Sequence, residues 1–408
     1  MTKKKEEAFD YASFEQEAIK KLRSGKGFTG EGGALTGLIG RILQAAYDQE
    51  MEAHLAETKE KKNRRNGTTK KTLKTGAGEL TVTPPRDRDG SFEPEIVKKW
   101  ERHIAPDLEQ QMMSLYAIGT SYSDISEHFK KMYGVKYSPS FITGVTNRVI
   151  DEIEAWKSRP LEDIYAIVYL DAIHFKVREN RKVESKAVYT VFGVDLEGNR
   201  DVLGLYIGES EGAKHWGRIL ENIKERGVQD VIFFCVDGLK GFSKVIEEIY
   251  PRSIVQRCIV HMVRTSVKHV SWNDLREVCK DLKKMYNKDS SKAALSELGR
   301  FDEKWGHKYP EIAKKWEKDW DELMAFMNFG SDIRRMIYTT NPVEALHRVM
   351  RKLIKSKAAW VSQTALIKQL YLSLMHNEKS WRRKAYGWKS IQRDLLYNYM
   401  ERIEKHTS

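Results

Sequence analysis

The sequence predicts an α/β protein with a mixed β-sheet, preceded by helical regions and interrupted by an all-helical segment. Residues 164–177 are almost wholly apolar and rich in β-branched and aromatic side chains, which is typical of a strand buried on both faces of a sheet. Two further strand-like runs, 186–195 and 201–209, follow closely, and the turn-forming residues between them predict an antiparallel meander. Helices and strands then alternate at 213–226, 231–237, 240–249 and 253–259.

Predicted helical regions precede and follow the strands of this sheet along the sequence. Residues 11–24 and 34–57 have apolar side chains at helical spacing, and the two helices could form either a DNA-binding or a dimerising element. Residues 107–158 predict three helices with the short turn and longer third helix of a helix-turn-helix, although an ordinary helical bundle has the same pattern. Residues 262–336 also predict helices throughout, and we interpret them as an insertion before the helix that carries Glu344.

The charge balance points to a polyanionic partner. The 408 residues include 71 Lys and Arg against 58 Asp and Glu, which gives a net charge of +13 and makes nucleic acid the first expectation. A membrane surface is the rival, but the chain has no long apolar run and its first residues lack the apolar core of a signal peptide. Because Cys235, Cys258 and Cys279 are too few for a disulfide framework, we expect a cytoplasmic, nucleoid-associated protein.

Three acidic residues, far apart in the chain, are candidates for a catalytic metal site. Asp171 is the only carboxylate on one face of its predicted strand, Asp237 ends a second apolar strand, and Glu344 lies one turn into a later helix. Such a set can bind two divalent cations for phosphoryl transfer, because hard cations prefer oxygen ligands. The alternatives are an ordinary ion pair for Asp171 and, for Glu344, a helix cap that reaches back to the Asn341 amide.

Basic and polar side chains predict the surfaces that contact DNA. Residues 59–74 are dominated by Lys and Arg and predict a phosphate-contacting loop, unless they form a solvated charged linker. The open face of the predicted helix-turn-helix and the helix that follows Glu344 carry further candidates. The candidate DNA-binding residues are Arg64, Arg65, Lys70, Lys71, Asn147, Arg148, Arg348, Arg351, Lys352 and Lys355.

Cys258 and His261 have the spacing of two zinc ligands. A structural zinc ion needs about four ligands, and the sequence offers no convincing second pair. A packed cysteine beside a hydrogen-bonding histidine is the simpler interpretation.

The order of the predicted elements resembles the ribonuclease-H-like fold. Three consecutive strands are followed by a helix, a strand, a helix and a strand. In that fold the first and fourth strands lie side by side. The resemblance therefore implies that Asp171 and Asp237 meet.

A set of ordered motifs resembles the mutator-type transposases of bacterial insertion sequences. The motifs lie at residues 63–67, 85–94, 169–172, 237–242, 258–264 and 338–341. The resemblance implies an Asp-Asp-Glu transposase with a ribonuclease-H-like core and a helical insertion. By position, Asp171, Asp237 and Glu344 would be the catalytic triad and would bind two Mg²⁺ or Mn²⁺ ions. Cys258 and His261 match the family's Cys-x-x-His signature, for which we expect a structural or DNA-positioning role.

The resemblance also implies partners. The protein would bind double-stranded DNA at terminal inverted repeats, then a target DNA, and would act at least as a homodimer because two DNA ends must be paired. Its departures from the family pattern lie beside the triad, and one of them is His347, which stands where Asn is common. The competing hypothesis is a DNA-binding regulator that kept the core fold and lost catalysis.

These expectations divide the chain into segments with different roles. The segments are an N-terminal helical region (1–57), a DNA-contacting basic loop and hairpin (58–104), a helix-turn-helix-like domain (105–160), the first part of the catalytic core (161–262), the helical insertion (263–336), the last part of the core (337–378) and a basic C-terminal helix (379–408).

Overall fold

The computed structural model divides the chain into two compact units, residues 1–148 and 149–408. The residues it describes are 10–30, 32–57, 63–101, 103–104, 106–208, 212–238, 241–338 and 341–407. Residues 58–62, which include the start of the expected basic loop, lie outside this set, as do residues 339–340 of the motif before Glu344.

The first unit combines helices with two small sheets. Its helices are α1 (Tyr11–Arg23), α2 (Thr36–Glu57), α3 (Pro106–Ala117), α4 (Tyr122–Tyr133) and α5 (Pro139–Asn147). Its strands are β1 (Arg65–Thr68), β2 (Lys71–Thr75), β3 (Gly78–Val82), β4 (Pro85–Asp87) and β5 (His103–Ile104). Strands β1 and β4 pair with each other, and the second sheet has the order β3–β2–β5.

The basic loop expected at residues 59–74 is partly a strand, which corrects the prediction. Residues 65–68 form β1, which pairs antiparallel with β4. All four residues of β1 are exposed. The strand therefore lacks the alternation of apolar and polar residues by which a sequence reveals a half-buried strand.

The third helix expected within residues 107–158 is in fact two helices. α5 ends at Asn147, and the Arg148 N–H donates to the Val145 carbonyl in a tight, 3₁₀-like turn. A separate helix, α6 (Val149–Ser158), begins the second unit. Apolar residues recur at helical spacing across the break, so periodicity alone could not reveal it.

The second unit contains the larger sheet. Its strands are β6 (Ile164–Glu179), β7 (Lys182–Val194), β8 (Arg200–Gly208), β9 (Asp230–Val236) and β10 (Ile254–Arg257). After α6, its helices are α7 (Ala213–Glu225), α8 (Phe242–Ile249), α9 (Ile259–Ser266), α10 (Trp272–Tyr286), α11 (Ser291–Trp305), α12 (Pro310–Lys318), α13 (Trp320–Met324), α14 (Ser331–Ile337), α15 (Asn341–Ser356), α16 (Gln363–His376), α17 (Glu378–Trp381) and α18 (Trp388–Thr407). All elements between residues 259 and 337 are helical, as predicted. Among the described helices, none is long and apolar enough to cross a membrane.

The sheet of the second unit is mixed, with the strand order β10–β9–β6–β7–β8. Strands β6, β7 and β8 form the predicted antiparallel meander. Strand β9 pairs parallel with β6, and β10 pairs parallel with β9. The expectation that the first and fourth strands lie side by side is therefore confirmed.

The hairpin between β6 and β7 is longer than the sequence suggested. Asn180 and Arg181 connect the strands with φ angles of 48° and 65°, the left-handed conformation that a two-residue hairpin turn requires. Charged and exposed side chains flank this turn, so the outer part of the hairpin does not have an apolar strand pattern.

Helices cover both faces of the sheet. On one face, Trp216 of α7 and Phe242 of α8 belong to the same apolar cluster as Leu170 of β6. On the other face, Leu346 of α15 belongs to the cluster that contains Tyr169. Burial on both faces explains the continuous apolar runs of β6 and β9, because neither face meets water.

An ion pair ties the C-terminal helix to the start of β9. Arg402 of α18 donates to both carboxylate oxygens of Asp230, at 2.7 and 2.6 Å, and Arg252 donates to the same carboxylate at 2.8 Å. Burial alone would raise the pKa of Asp230, but the hydrogen bond and charge of Arg402 outweigh it, and the pKa lies below its ordinary value. This pair fixes the strand whose opposite end leads to Asp237.

Substituting Asp230→Ala should lower the free energy of unfolding of the second unit by about 3–5 kcal/mol, because it leaves the nearly buried Arg402 guanidinium without its carboxylate partner. Urea denaturation followed by tryptophan fluorescence measures this loss. The exposed Asp321→Ala serves as the matched control and should change stability by less than about 0.5 kcal/mol. Equal effects of the two substitutions would contradict the structural role of the pair.

Candidate active site

Strand register places Asp171 and Asp237 side by side. Leu170 of β6 is the parallel partner of Val236, the last residue of β9. Asp171 follows Leu170, and Asp237 follows Val236. The two aspartates therefore lie side by side at the same edge of the sheet. Their carboxyl groups are close enough for the charge of Asp171 to act on Asp237.

The pKa values of the two carboxyl groups shift in opposite directions. Burial raises the pKa of Asp237 to about 6, and the neighbouring charge of Asp171 adds to this despite a hydrogen bond from His261. Burial would also raise the pKa of Asp171, but the hydrogen bond and charge of His347 outweigh it and hold that pKa below its ordinary value. Two carboxylates that repel each other in this way form a site with strong affinity for positive charge.

A histidine on α9 lies beside Asp237. The Cys258 N–H donates to the Val236 carbonyl at 2.8 Å, which starts α9 next to the end of β9. One turn further, His261 Nδ1 is 3.1 Å from Asp237 Oδ2. The hydrogen bond to Asp237 raises the pKa of His261, although burial opposes this.

A second histidine, on α15, lies beside Asp171. His347 is fully buried, with Nδ1 3.2 Å from Asp171 Oδ2. Its other nitrogen, Nε2, lies 3.0 Å from the hydroxyl of Thr190, the β7 residue that pairs with Asp171 across the sheet. His347 therefore lies between the two residues, with a hydrogen bond to Thr190 at Nε2 and a close contact with the Asp171 carboxylate at Nδ1. The backbone N–H of Ala172 donates to the other Asp171 oxygen at 2.7 Å.

The third predicted acid, Glu344, is paired with an arginine. Arg264 Nη1 of α9 donates to Glu344 Oε1 at 2.6 Å. Among the described residues, no group of three His, Cys, Asp or Glu side chains is arranged to hold a metal ion. The structure therefore brings together two of the three predicted acids and places Glu344 on the adjacent helix, in contact with a cation. The alternative interpretation, a helix cap in which Glu344 reaches back to the Asn341 backbone amide, stays a prediction.

Helices α9 and α15 each contact one aspartate of the sheet edge, and they also contact each other. His261 and Arg264 are three residues apart on α9, and Glu344 and His347 are three residues apart on α15, so each pair lies on one face of its helix. One member of each pair contacts an aspartate of the sheet edge, and the other two members contact each other. The acids are thus linked through the two helices even though the three carboxylates do not converge.

A small cavity opens in front of the two aspartates. Its volume is about 130 Å³, and its walls include Asp171, Asp237, His261 and the aromatic rings of Trp216 and Phe242. Carboxylate oxygens that face an open cavity suit a hard divalent cation such as Mg²⁺ or Mn²⁺. The donor chemistry of Asp171 and Asp237 therefore fits the expected metal ions, and Glu344 would have to leave Arg264 to join them.

The predicted DNA-binding residues of the second unit lie on the helix of Glu344. Arg348, Arg351, Lys352 and Lys355 are all exposed, and none of the four forms an ion pair with another described residue. Exposed cations without acidic partners are available to bind phosphate groups. They remain predictions for DNA contact.

The predicted DNA-binding residues of the first unit have more varied surroundings. Arg64 and Lys70 are exposed, whereas Arg65 is bonded to Asp48 at 3.2 Å. Lys71 donates to the Lys98 carbonyl at 2.7 Å. At the end of α5, Asn147 is exposed and Arg148 is paired with Glu109.

Cys258 does not take part in a zinc site within the described residues. Its side chain is buried, and all three cysteines are free thiols. The simpler interpretation, a packed cysteine beside a hydrogen-bonding histidine, agrees with the contact between His261 and Asp237.

Sequence reasoning does not identify His347, Thr190 and Arg264 as parts of the site. In the sequence, His347 stands out only as a departure from the family pattern. Its position three residues after Glu344, on the same helical face, is the signal that could have identified it. Arg264 has the same relation to His261. Thr190 offers no signal, because only the strand register reveals that it faces Asp171.

Comparisons with known proteins identify relatives over most of the chain. A family model described as "Transposase, Mutator family" matches residues 5–384. The transposase for insertion sequence element ISRM3 of Rhizobium meliloti (strain 1021) is 38% identical over 364 residues, which cover 89% of this chain and 90% of the relative. A probable insertion-sequence transposase of Corynebacterium diphtheriae is 34% identical over 339 residues, which cover 78% of this chain and 98% of the relative.

Solved structures show only a distant likeness. The Drosophila P element transposase strand transfer complex aligns with 71% of this chain and 81% of that chain, with a TM-score of 0.28 and 10% identity. This similarity is too low to support a conclusion about the fold or the function.

Asp237→Asn should stabilise the metal-free protein at alkaline pH. Because the folded pKa of Asp237 is raised to about 6 from 3.8, its favourable contribution is complete below pH 3.8 and is lost as the pH rises through about 6. Asparagine cannot ionise, so the variant should be more stable than the parent by up to about 3 kcal/mol at pH 8, with the two converging near pH 4.

Urea denaturation in EDTA across this pH range measures the difference. The exposed Asp321→Asn is the matched control for the loss of one negative charge. If Asp237→Asn is less stable than the parent at pH 8, burial and the neighbouring charge of Asp171 do not make the ionised Asp237 carboxylate destabilising.

Proposed function

This chain belongs to the Mutator family of transposases, and from that premise we propose that it cleaves DNA and transfers DNA strands with Asp171, Asp237 and Glu344 as its catalytic residues. The enzyme would belong to a bacterial insertion sequence and would act on the terminal inverted repeats of that element. The observation that carries it is the meeting of Asp171 and Asp237 at the ends of two neighbouring parallel strands, where their charges repel.

The three acids would hold the divalent cations that the reaction needs. Two Mg²⁺ or Mn²⁺ ions, when bound, stabilise the attacking and the leaving oxygens of an in-line phosphoryl transfer. Asp171 and Asp237 would provide the shared ligands, and Glu344 would complete the site. No side chain is required as a covalent nucleophile, since a water molecule and then a DNA 3′-hydroxyl fill that role.

The residues around the acids would prepare this site. His347 holds the Asp171 carboxylate in one orientation through its contacts with Asp171 and Thr190. Arg264 neutralises Glu344 while DNA is absent, and its exposed guanidinium can exchange Glu344 for a phosphate. The four cations of α15 follow Glu344 directly, so they would bind the DNA backbone beside the cleaved bond.

The remaining parts of the chain would bind and pair the DNA. We assign the mixed sheet to the ribonuclease-H-like fold and the helices between β10 and α15 to an insertion in it. The first unit would recognise the terminal inverted repeats, and a homodimer would pair the two ends before they join a target DNA. The segment boundaries expected from the sequence belong to this proposal as well.

One observation favours a second candidate function. Glu344 forms an ion pair with Arg264 and does not meet the two aspartates among the described residues. A DNA-binding protein that has lost catalysis could have the same arrangement. The two candidates differ in metal-dependent nicking of DNA that carries the element's ends, which only the transposase performs.

Replacing any one of Asp171, Asp237 and Glu344 by Ala should reduce strand transfer by at least about 100-fold, because each substitution removes a metal ligand. The assay uses end-containing DNA with Mg²⁺, and DNA binding measured in EDTA should remain within about threefold of the parent. The exposed acids Asp321→Ala and Glu303→Ala are the matched controls and should retain activity. Near-parental activity of one triad variant would remove that residue from the proposed site.

Arg264→Gln should increase the affinity of the DNA-free protein for Mn²⁺, because it releases Glu344 from its ion pair. The arginine side chain is 63% exposed. A pair of this kind is worth up to about 1 kcal/mol, which corresponds to a gain of roughly two- to fivefold. Isothermal titration calorimetry with Mn²⁺ measures the change.

Two controls make this result specific. Arg276→Gln removes an exposed arginine that forms no ion pair with a described residue and should leave the affinity unchanged. In a Glu344→Gln background, Arg264→Gln should have no further effect on Mn²⁺ binding. An affinity that rises equally with or without Glu344 would show that Arg264 acts by general repulsion of cations.

A further inference from the structure

The first unit has an open groove that the proposed chemistry leaves without a role. Its volume is about 600 Å³, within the range of about 300–1,000 Å³ that is typical of ligand sites. Its walls are the loop between β1 and β2, the loop between β3 and β4, and parts of residues 90–100. Much of the family-like motif at residues 85–94 therefore lines this groove.

An exposed tryptophan forms one wall of the groove. Trp100 is 87% exposed, although tryptophan is largely buried in most proteins. The turn that carries it is well anchored, because the Lys98 carbonyl accepts hydrogen bonds from the Glu101 N–H at 2.9 Å and from Lys71 Nζ at 2.7 Å. The preceding residue, Val97, is fully buried in an apolar cluster of this unit. The indole ring is thus held in solvent by a fixed turn.

The charges in the groove are positive. Lys70, Arg86 and Lys99 are exposed and form no ion pair with a described residue. The acid among the lining residues, Asp87, is buried and accepts hydrogen bonds from Asn63 at 2.8 Å and from Ser91 at 2.8 and 3.0 Å. These hydrogen bonds satisfy its carboxylate, and the three cations remain available for an anionic ligand.

We infer that this groove binds an unpaired nucleotide of a DNA strand, with the base stacked on Trp100 and the neighbouring phosphates held by Lys70, Arg86 and Lys99. An aromatic ring beside cations is the usual arrangement for single-stranded nucleic acid, because every base has a face that can stack. A base inside a duplex is already stacked on its neighbours, so the site selects unpaired or frayed DNA. The choice of DNA over RNA as the ligand rests on the proposed function, whereas the stacking and phosphate contacts rest on the groove itself.

The test measures binding without catalysis. Fluorescence anisotropy in EDTA compares labelled oligothymidine of about 12 nucleotides with a blunt hairpin duplex, for the full-length protein and its variants. Trp100→Ala should weaken oligothymidine binding by roughly 5- to 150-fold and leave duplex binding almost unchanged. Trp100→Phe keeps an aromatic ring and should retain most of the affinity. Because no strand is cleaved, loss of strand transfer would not affect these results.

A matched control separates this site from general aromatic exposure. Trp272 lies in the second unit and is 86% exposed, so Trp272→Ala should leave oligothymidine binding at the parental value. The triple variant Lys70→Gln, Arg86→Gln and Lys99→Gln should reduce the dependence of log affinity on log salt by roughly 0.7 for each phosphate that no longer has a cationic partner. Trp100→Ala should leave that salt dependence unchanged.

Four results would overturn the inference. They are parental oligothymidine binding by Trp100→Ala, an equal loss on duplex and single strand, an equal loss in Trp272→Ala, and a change in sedimentation of Trp100→Ala that reveals a surface between two copies of the chain. Tighter binding of an oligouridine than of oligothymidine, with the same dependence on Trp100, would assign the groove to RNA instead of DNA.

Discussion

Repulsion between Asp171 and Asp237 is the constraint on which the site depends. The parallel register of β6 and β9 places these two residues side by side, because the preceding residues, Leu170 and Val236, are partners in the sheet. Partial burial strengthens the repulsion, because low dielectric screens charge less than water does. Two carboxylates in this position are stabilised by nearby positive charge. Side chains of the surrounding helices provide some of it, and the expected metal ions would provide the rest.

The helix side chains beside the acids differ in how easily DNA or a metal ion could replace their contacts. His261 and Arg264 project from α9 at the mouth of the site and are about half exposed or more, whereas His347 is fully buried beneath Asp171. We therefore assign His347 to the permanent framework of the site and Arg264 to a contact that DNA and metal ions can replace. On this view the separation of Glu344 from the aspartates is a property of the DNA-free protein, and the basic residues after Glu344 are placed to bring in the phosphate backbone.

The central part of this arrangement could be predicted from the sequence. The apolar runs that end at Asp171 and Asp237 are long because both faces of the sheet are covered, and such runs are easy to recognise. Their adjacency came from a resemblance in strand order, because spacing along the chain does not determine which strands pair. The contacts of the acids could not be predicted in the same way, since helical spacing places His347 near Glu344 and Arg264 near His261 but does not show which acid each side chain contacts. Strand β1 and the break at Arg148 were missed because neither changes the apolar periodicity.

The central claim is that Asp171, Asp237 and Glu344 converge on divalent cations when DNA is bound. The most direct measurement is a crystal structure with Mn²⁺ and a DNA end, using anomalous scattering at the manganese edge to locate the ions. The account predicts two manganese peaks in contact with the Asp171 and Asp237 carboxylates, with Glu344 as a further ligand and Arg264 on a DNA phosphate. Manganese peaks elsewhere, or a Glu344 that stays bonded to Arg264 while DNA and metal occupy the site, would contradict it.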